Sequence, residues 1–380
     1  MDRYCKDWFL KLNVTKTKVM IFSRGKVRTV PTFTFNGRKL DIVYDFQYLG
    51  IKFSYNGKFT VAQKNLYDRA SKAMFALLRK TRKLFLPLDV QIDLFEKTVV
   101  PILLYGSEVW CPYMSDLANK LQIRFFKMIL KVGKSTPTNM VLGELGQFPV
   151  SIQAKCRMLN FWYKLAFSNG SDKLSCVTYR FLFKMYESGV YKSKFLLSVH
   201  GVLNELGFSY FWHNQTINNV TDGGYFNTFK ALMKNRLQDQ FVQTWHSEIN
   251  NNEFYYNYRM YKENFEFEKY LSILPVNLAN AVLKFRTLNH KLPIQKGRTL
   301  GIPRQDRICH KCSSGDLGDE FHYIFVCPFF TNYRKQLLRC YYYARPNSVK
   351  FRELFSTTKK SLLLKLAKFM TLVMDCLRSE

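Results

Sequence analysis

Between residues 18 and 53 apolar and polar positions alternate with a period of two. "KVMIF" (18–22), "TFTFNGRKLDIV" (32–43) and "FQYLGIKF" (46–53) read as strand-forming runs. Asn36-Gly37 splits the middle run, and that dipeptide favours the tight turn of a hairpin. A short helix ahead of them completes a small antiparallel β unit. Three short runs make a thin sheet for a free-standing unit.

From about residue 60 the period lengthens to that of a helix. Leu66, Ala70, Ala73, Met74, Leu77 and Leu78 form one apolar stripe, and Lys64, Arg69, Lys72, Arg79, Lys80, Arg82 and Lys83 occupy the rest of the surface. A second helix is expected from Asp89 as N-cap to Pro101. A third follows Ser115, with Leu117, Leu121, Phe125, Met128 and Ile129 inward, and ends near Gly133. A fourth begins at Ser151. Residues 169–290 read as weakly patterned helices interrupted by the breakers "NGSD" (169–172) and "TDGG" (221–224). "LANAVLKFRTLNHKL" (278–292) is a helix leading into an extended basic stretch at 293–307. Positions 362, 363, 366, 369, 370 and 373 define a C-terminal packing helix. The predicted class is α+β, predominantly α-helical, with its small β unit at the N-terminus.

Charge changes this picture. Lys and Arg number 58 against 28 Asp and Glu, a net charge of +30. A surplus of that size repels itself unless a polyanion neutralises it, and phosphate backbones are the commonest such partner. No run is long and apolar enough to span a membrane, and the N-terminus lacks the apolar core of a secretion signal. The expectation is an intracellular protein, nuclear or cytoplasmic, not secreted and not bound to a membrane. Its nine cysteines are then expected to be reduced thiols.

Three of those cysteines and one histidine are spaced for a metal. Cys309 and Cys312 form C-x-x-C, His322 follows after nine residues and Cys327 after four more. This donor set suits tetrahedral zinc and leaves no open position, so the zinc would be structural. The turn-forming "SSGDLGD" between the pairs lets the chain double back. Arg304, Arg307, Lys311 and Arg334, interleaved with Phe321, Tyr323 and Phe329, suit a knuckle that grips phosphates and stacks bases. No catalytic constellation accompanies it. There is no adjacent Asp-Asp pair, no Gly-rich phosphate loop and no Ser/His/Asp arrangement. Asp41 and Asp45 share a strand face but make a weak metal pair.

Several stretches together resemble the reverse transcriptases of non-LTR retrotransposons, of the long-interspersed-element type. "YCKDWFLKLNVTKTKVMIF" (4–22) is similar to the segment just after the catalytic aspartates, and "FQYLGIKFSYNGKF" (46–59) to the primer-grip strand pair that follows it. "VVPILLYGSEVW" (99–110) and "VLGELGQFPV" (141–150) resemble the thumb and the region beyond it. "KFRTLNHKLPIQKGR", "RICHKC" and "DEFHYIFVCPFF" resemble the zinc-binding C-terminal region. The resemblance implies a palm remnant over 1–60, a thumb-like bundle over 61–168, a helical linker over 169–290, a zinc-knuckle region over 291–345 and a last helix over 346–380. It implies RNA or RNA–DNA primer–template as partner. Lys16 or Lys18 would match the family's lysine near the leaving pyrophosphate, Tyr48 and Gly50 the primer grip, and Lys64, Arg69, Lys72, Arg79 and Lys80 the duplex-facing thumb. The family's metal-binding aspartates precede the segment matched by residue 4 onward, so no catalytic residue is assigned and this chain alone is expected not to polymerise. A domesticated helical protein that binds a protein partner, and a decayed element fragment, are the competing readings.

Overall fold

The computed structural model describes residues 2–23, 25, 31–167, 172–215 and 223–377. It is α+β and predominantly helical, with strands of at most four residues. By internal packing the chain divides into two compact units, one comprising Met1–Leu77, Leu94–Leu121 and Val150–Lys234, the other Leu78–Asp93, Gln122–Pro149 and Asn235–Glu380.

In the first unit Asn36 (φ 47°) and Gly37 (φ 75°) form the expected turn between Thr34–Phe35 and Arg38–Lys39. Cys5, Phe35 and Leu40 make a small core beneath it, with Leu12, Val14, Val19 and Phe33 packed around. One pairing departs from expectation, and one, the strand pair at 46–53, agrees with what the resemblance implies. Lys18–Val19 pairs with Asp41–Ile42 in parallel, because the intervening hairpin returns the chain to its original direction. "FQYLGIKF" is a hairpin of two strands, Asp45–Tyr48 and Ile51–Ser54, paired from Asp45↔Ser54 to Tyr48↔Ile51. Leu49 (φ 46°) and Gly50 (φ 86°) make its turn. Leucine rarely adopts a left-handed conformation, so nothing in the alternation announced that reversal.

The Thr60–Lys83 helix follows its periodicity closely. Leu66, Ala70, Met74 and Leu78 are buried, and Ala73 and Leu77 flank them half-buried. Val150–Ala166 contributes Trp162, fully buried, whose indole N–H donates to the Tyr179 hydroxyl at 2.8 Å and whose ring stacks on Trp212. Elsewhere the boundaries shift. Asp89 is not an N-cap but lies in the first turn of Leu88–Thr98, where its charge complements the helix dipole. Pro101 opens the next short helix, Val100–Leu103. Leu117–Leu130 buries Ala118, Leu121, Phe125, Phe126 and Leu130, while Met128 and Ile129 are only half-buried.

The second unit is held by its C-terminal helix. Lys360–Cys376 turns Leu362, Leu363, Leu366, Phe369, Met370 and Val373 inward, and packs on Val276–Arg286. Among the described residues no helix is long and apolar enough to cross a membrane. The stretch at 293–307, expected to be extended, contains the Pro293–Thr299 helix. Proline presets φ at its first position, and Gly297 leaves room for Arg307, whose Cγ lies 2.6 Å from where a Cβ would stand. Residues 169–171 of the first breaker lie outside the described residues. Residues 221 and 222 of the second are likewise outside the described residues, and Gly223 and Gly224 open the Gly223–Asn251 helix.

Candidate metal centre and basic surface

Cys309, Cys312, His322 and Cys327 converge, with one donor atom from each lying within 4.8 Å of all the others. The chain reaches this arrangement by two local devices. Ile308 and Leu317 bridge as an antiparallel pair, and the Cys309 N–H donates to the Asp316 carbonyl at 2.9 Å, closing the loop that carries Cys309 and Cys312. The second device is a π turn over His322–Val326, in which the Cys327 N–H donates to the His322 carbonyl at 2.7 Å. In an α-helix residues five apart point about 140° away from each other. The wider turn brings His322 and Cys327 to the same side.

The distances test the donor set against zinc. The Cys309 and Cys327 sulfurs are 3.9 Å apart, and Cys312 Sγ is 3.4 Å from His322 Nε2. Ligands at about 2.3 Å (sulfur) and about 2.0 Å (nitrogen) set tetrahedral edges of roughly 3.8 Å and roughly 3.5 Å. The residues fit. The Lys311 N–H lies 3.4 Å from Cys309 Sγ, and Asp316 Oδ2 lies 3.5 Å from His322 Nδ1, where a carboxylate orients a metal-bound imidazole. Burial lowers the His322 pKa, which keeps the imidazole neutral, and pushes the Cys327 thiol up to about 12. A bound cation reverses the second effect, since it stabilises the thiolate.

Arg334 needs correction. Its guanidinium is buried, donating to the Ile324 carbonyl at 2.8 Å and to the Cys327 carbonyl at 3.0 Å. It therefore supports the π turn from behind and has no reach to a phosphate. Arg307 is similarly engaged, by the Ile302 carbonyl at 2.8 Å and the Ile294 carbonyl at 3.2 Å. Tyr323 is fully buried and offers no stacking face. Arg304 is exposed, and Lys311 has its ammonium 5.4 Å from the Phe329 ring.

Of the residues assigned elsewhere, Lys64, Arg69, Lys72, Arg79 and Lys80 are all exposed, within an arc of about 160° opposite the apolar stripe at 100° per residue. Arg69 also joins the strand turn, donating to the Gly50 carbonyl at 3.1 Å, while the Tyr105 hydroxyl donates to the Leu49 carbonyl at 2.9 Å. Tyr48 is exposed beside this turn and Lys16 is exposed ahead of it. Lys18 instead pairs with Asp41 at 2.5 Å, and Lys52 with Asp45 at 3.1 Å. Both aspartates are thus neutralised by lysines. Gly50→Ala should cost about 1–3 kcal/mol of stability and so lower the melting midpoint, because φ there is 86° and Tyr105 Cε1 already stands 3.4 Å from the added carbon. An unchanged thermal midpoint would contradict this account of the turn.

One buried site escaped the spacing of motifs altogether. Arg286 is fully buried and holds Glu144, also fully buried, by two hydrogen bonds of 2.9 and 3.0 Å. Glu268 lies 3.0 Å from the same guanidinium, and Lys262 lies 2.6 Å from Glu268. The Tyr270 hydroxyl donates to Glu144 at 2.6 Å. A single acid in the apolar "VLGELGQF" and a single arginine in "AVLKFRTL" were the available signals.

Known proteins can now be set beside this geometry. A stretch of 165 residues is 28% identical to the 115 kDa protein in the type-1 retrotransposable element R1DM of Drosophila melanogaster. It covers 41% of this chain and 16% of that protein, so the chain spans a small part of that relative's length. No family model matches the chain. No solved structure matches it either. The likeness supports a chain derived from a non-LTR retrotransposable element.

Proposed function

We propose that this chain corresponds to the C-terminal part of a non-LTR retrotransposon reverse transcriptase, and that it holds RNA or RNA–DNA primer–template. In this reading Cys309, Cys312, His322 and Cys327 bind a structural zinc, which supplies four bonds that tie two loops together and no chemistry to a substrate. The observation that carries the reading is the convergence of that donor set in a chain of net charge +30 with retrotransposon likeness. The exposed cations of Thr60–Lys83 supply the sequence-independent phosphate contacts.

The test is binding of the purified chain to a labelled RNA–DNA primer–template across a salt series, beside a variant with Lys64, Lys72, Arg79 and Lys80 all changed to Gln. Affinity should fall steeply with salt. The variant's log–log slope should be shallower by about 0.9 for each phosphate contact removed. A salt-independent affinity, or a variant with the parent's slope, would count against the reading. Cys312→Ser reports separately on whether the knuckle touches nucleic acid or only staples its own unit.

A further inference from the structure

A cavity of about 510 Å³ opens in the second unit next to the Cys–His cluster, its wall including His310 and Tyr323, sequence neighbours of Cys309 and His322. Lys291, Lys296 and Arg298 line it, and among the described residues no carboxylate does. This distinguishes it from the cavity of about 620 Å³ in the same unit, where Glu253 and Asp319 stand with Arg259 and Arg304. Mixed charge favours neither sign of ligand. The first cavity selects an anion.

Two further features narrow the ligand. The Arg298 guanidinium lies over the Phe254 ring at 3.5 Å from its centroid, a flat cationic–aromatic surface in the wall. Thr136 is 4% exposed and its Oγ1 has no hydrogen-bond partner among the described residues. A buried hydroxyl left so is destabilising, and a polar ligand in the cavity would give it a partner. Anionic, planar in part, and hydrogen-bonding is the description of a nucleotide. The volume falls in the range of small-molecule sites, about 300–1,000 Å³. A duplex, about 20 Å across by its grooves and backbones, does not enter such a space, whereas one unpaired nucleotide does.

We propose that this cavity holds a single unpaired nucleotide of a nucleic-acid strand, with its phosphate against Lys291, Lys296 and Arg298 and its base on the Phe254–Arg298 wall. The inference rests on the reading that the chain binds nucleic acid, and it assigns to the second unit a single-strand site separate from the basic helix. The same chemistry belongs to a free nucleotide, so the test separates the two sources.

The experiment measures binding of the full chain to a labelled single-stranded oligouridylate and to a blunt RNA–DNA duplex, with UMP as competitor. Arg298→Gln should weaken single-strand binding about tenfold, as loss of one stacking partner does. Its duplex binding should be unchanged. Thr136→Val, which keeps the side-chain shape, should also weaken single-strand binding while leaving the melting midpoint equal or higher. That combination shows that the loss is not misfolding. Displacement by UMP assigns the cavity to nucleotides in general, and failure to displace, with the variant losses intact, assigns it to the strand. Variants that bind single strands as the parent does would overturn the inference while leaving duplex binding standing. A parent chain that binds no nucleic acid of either form overturns this inference and the broader reading together.

Discussion

Removing the metal from the purified chain should destabilise the second unit by at least about 4 kcal/mol, because structural zinc contributes folding free energy outright. For a unit of this size that is a fall in melting temperature of roughly 8–16 °C. The expectation follows from where the ligands sit. Cys309, His322 and Cys327 are buried, and the Ile324 and Cys327 carbonyls at the π turn accept from the Arg334 guanidinium. Without a cation the cluster would hold a thiol pair 3.9 Å apart and a third thiol 3.4 Å from the His322 Nε2, a poor substitute for four metal bonds. Cys309→Ser should reproduce most of the loss and should abolish the metal. One zinc per chain in the parent, measured by elemental analysis, and none in the variant is the expected pair of results. A parent free of metal whose melting is indifferent to a chelator would sink the assignment.

Arg286→Met should cost about 3–5 kcal/mol, since it strands the Glu144 carboxylate in the interior. The network as built is neutral, with Arg286 and Lys262 set against Glu144 and Glu268. Its charges are tolerated because each has a partner, and Tyr261 and Tyr270 place their rings 4.6 and 5.2 Å from the guanidinium. Glu144→Leu alone should also be costly, since Arg286 then lacks its bidentate acceptor. The double change Glu144→Leu with Arg286→Met is the informative one. It should be far less damaging than the sum of the two single changes, as apolar replacement of a buried pair often is. Urea unfolding of the four proteins gives the coupling directly. Additive losses would mean that the two residues act independently, contrary to the geometry.

What was legible along the chain was what short-range spacing encodes. The stripe Leu66, Ala70, Met74 and Leu78 faces inward as a period of 3.6 requires, and the opposite arc carries the cations. Asn36-Gly37 turned where its preference for positive φ allowed. The Cys–His donors came together because the C-x-x-C pair and the H-x-x-x-x-C pair each lie within a few residues.

Errors arose where a side chain's direction depended on how the chain turns back on itself and not on spacing alone. Arg334 lies close in sequence to Cys327 among exposed-looking neighbours, yet the π turn leaves carbonyls that draw its guanidinium inward. Lys18 was read as a phosphate contact, but parallel pairing of its strand delivers Asp41 to its ammonium. Met128 and Ile129 were placed inward by periodicity, and packing rotated the buried face toward Phe126 and Leu130 instead.

The sequence by itself determined the helical class, the basic helix, the hairpin turn and the metal donors, because each depends on residues close enough to interact through local backbone geometry. Tertiary structure alone decided which arginine is buried, which lysines are paired and where an acid-free cavity opens. Glu144 meets Arg286 across 142 residues, and Thr136 joins Phe254 and Arg298 in one wall. No local pattern reports such meetings, since a side chain's charge reveals nothing of its partner until the fold removes water from between them.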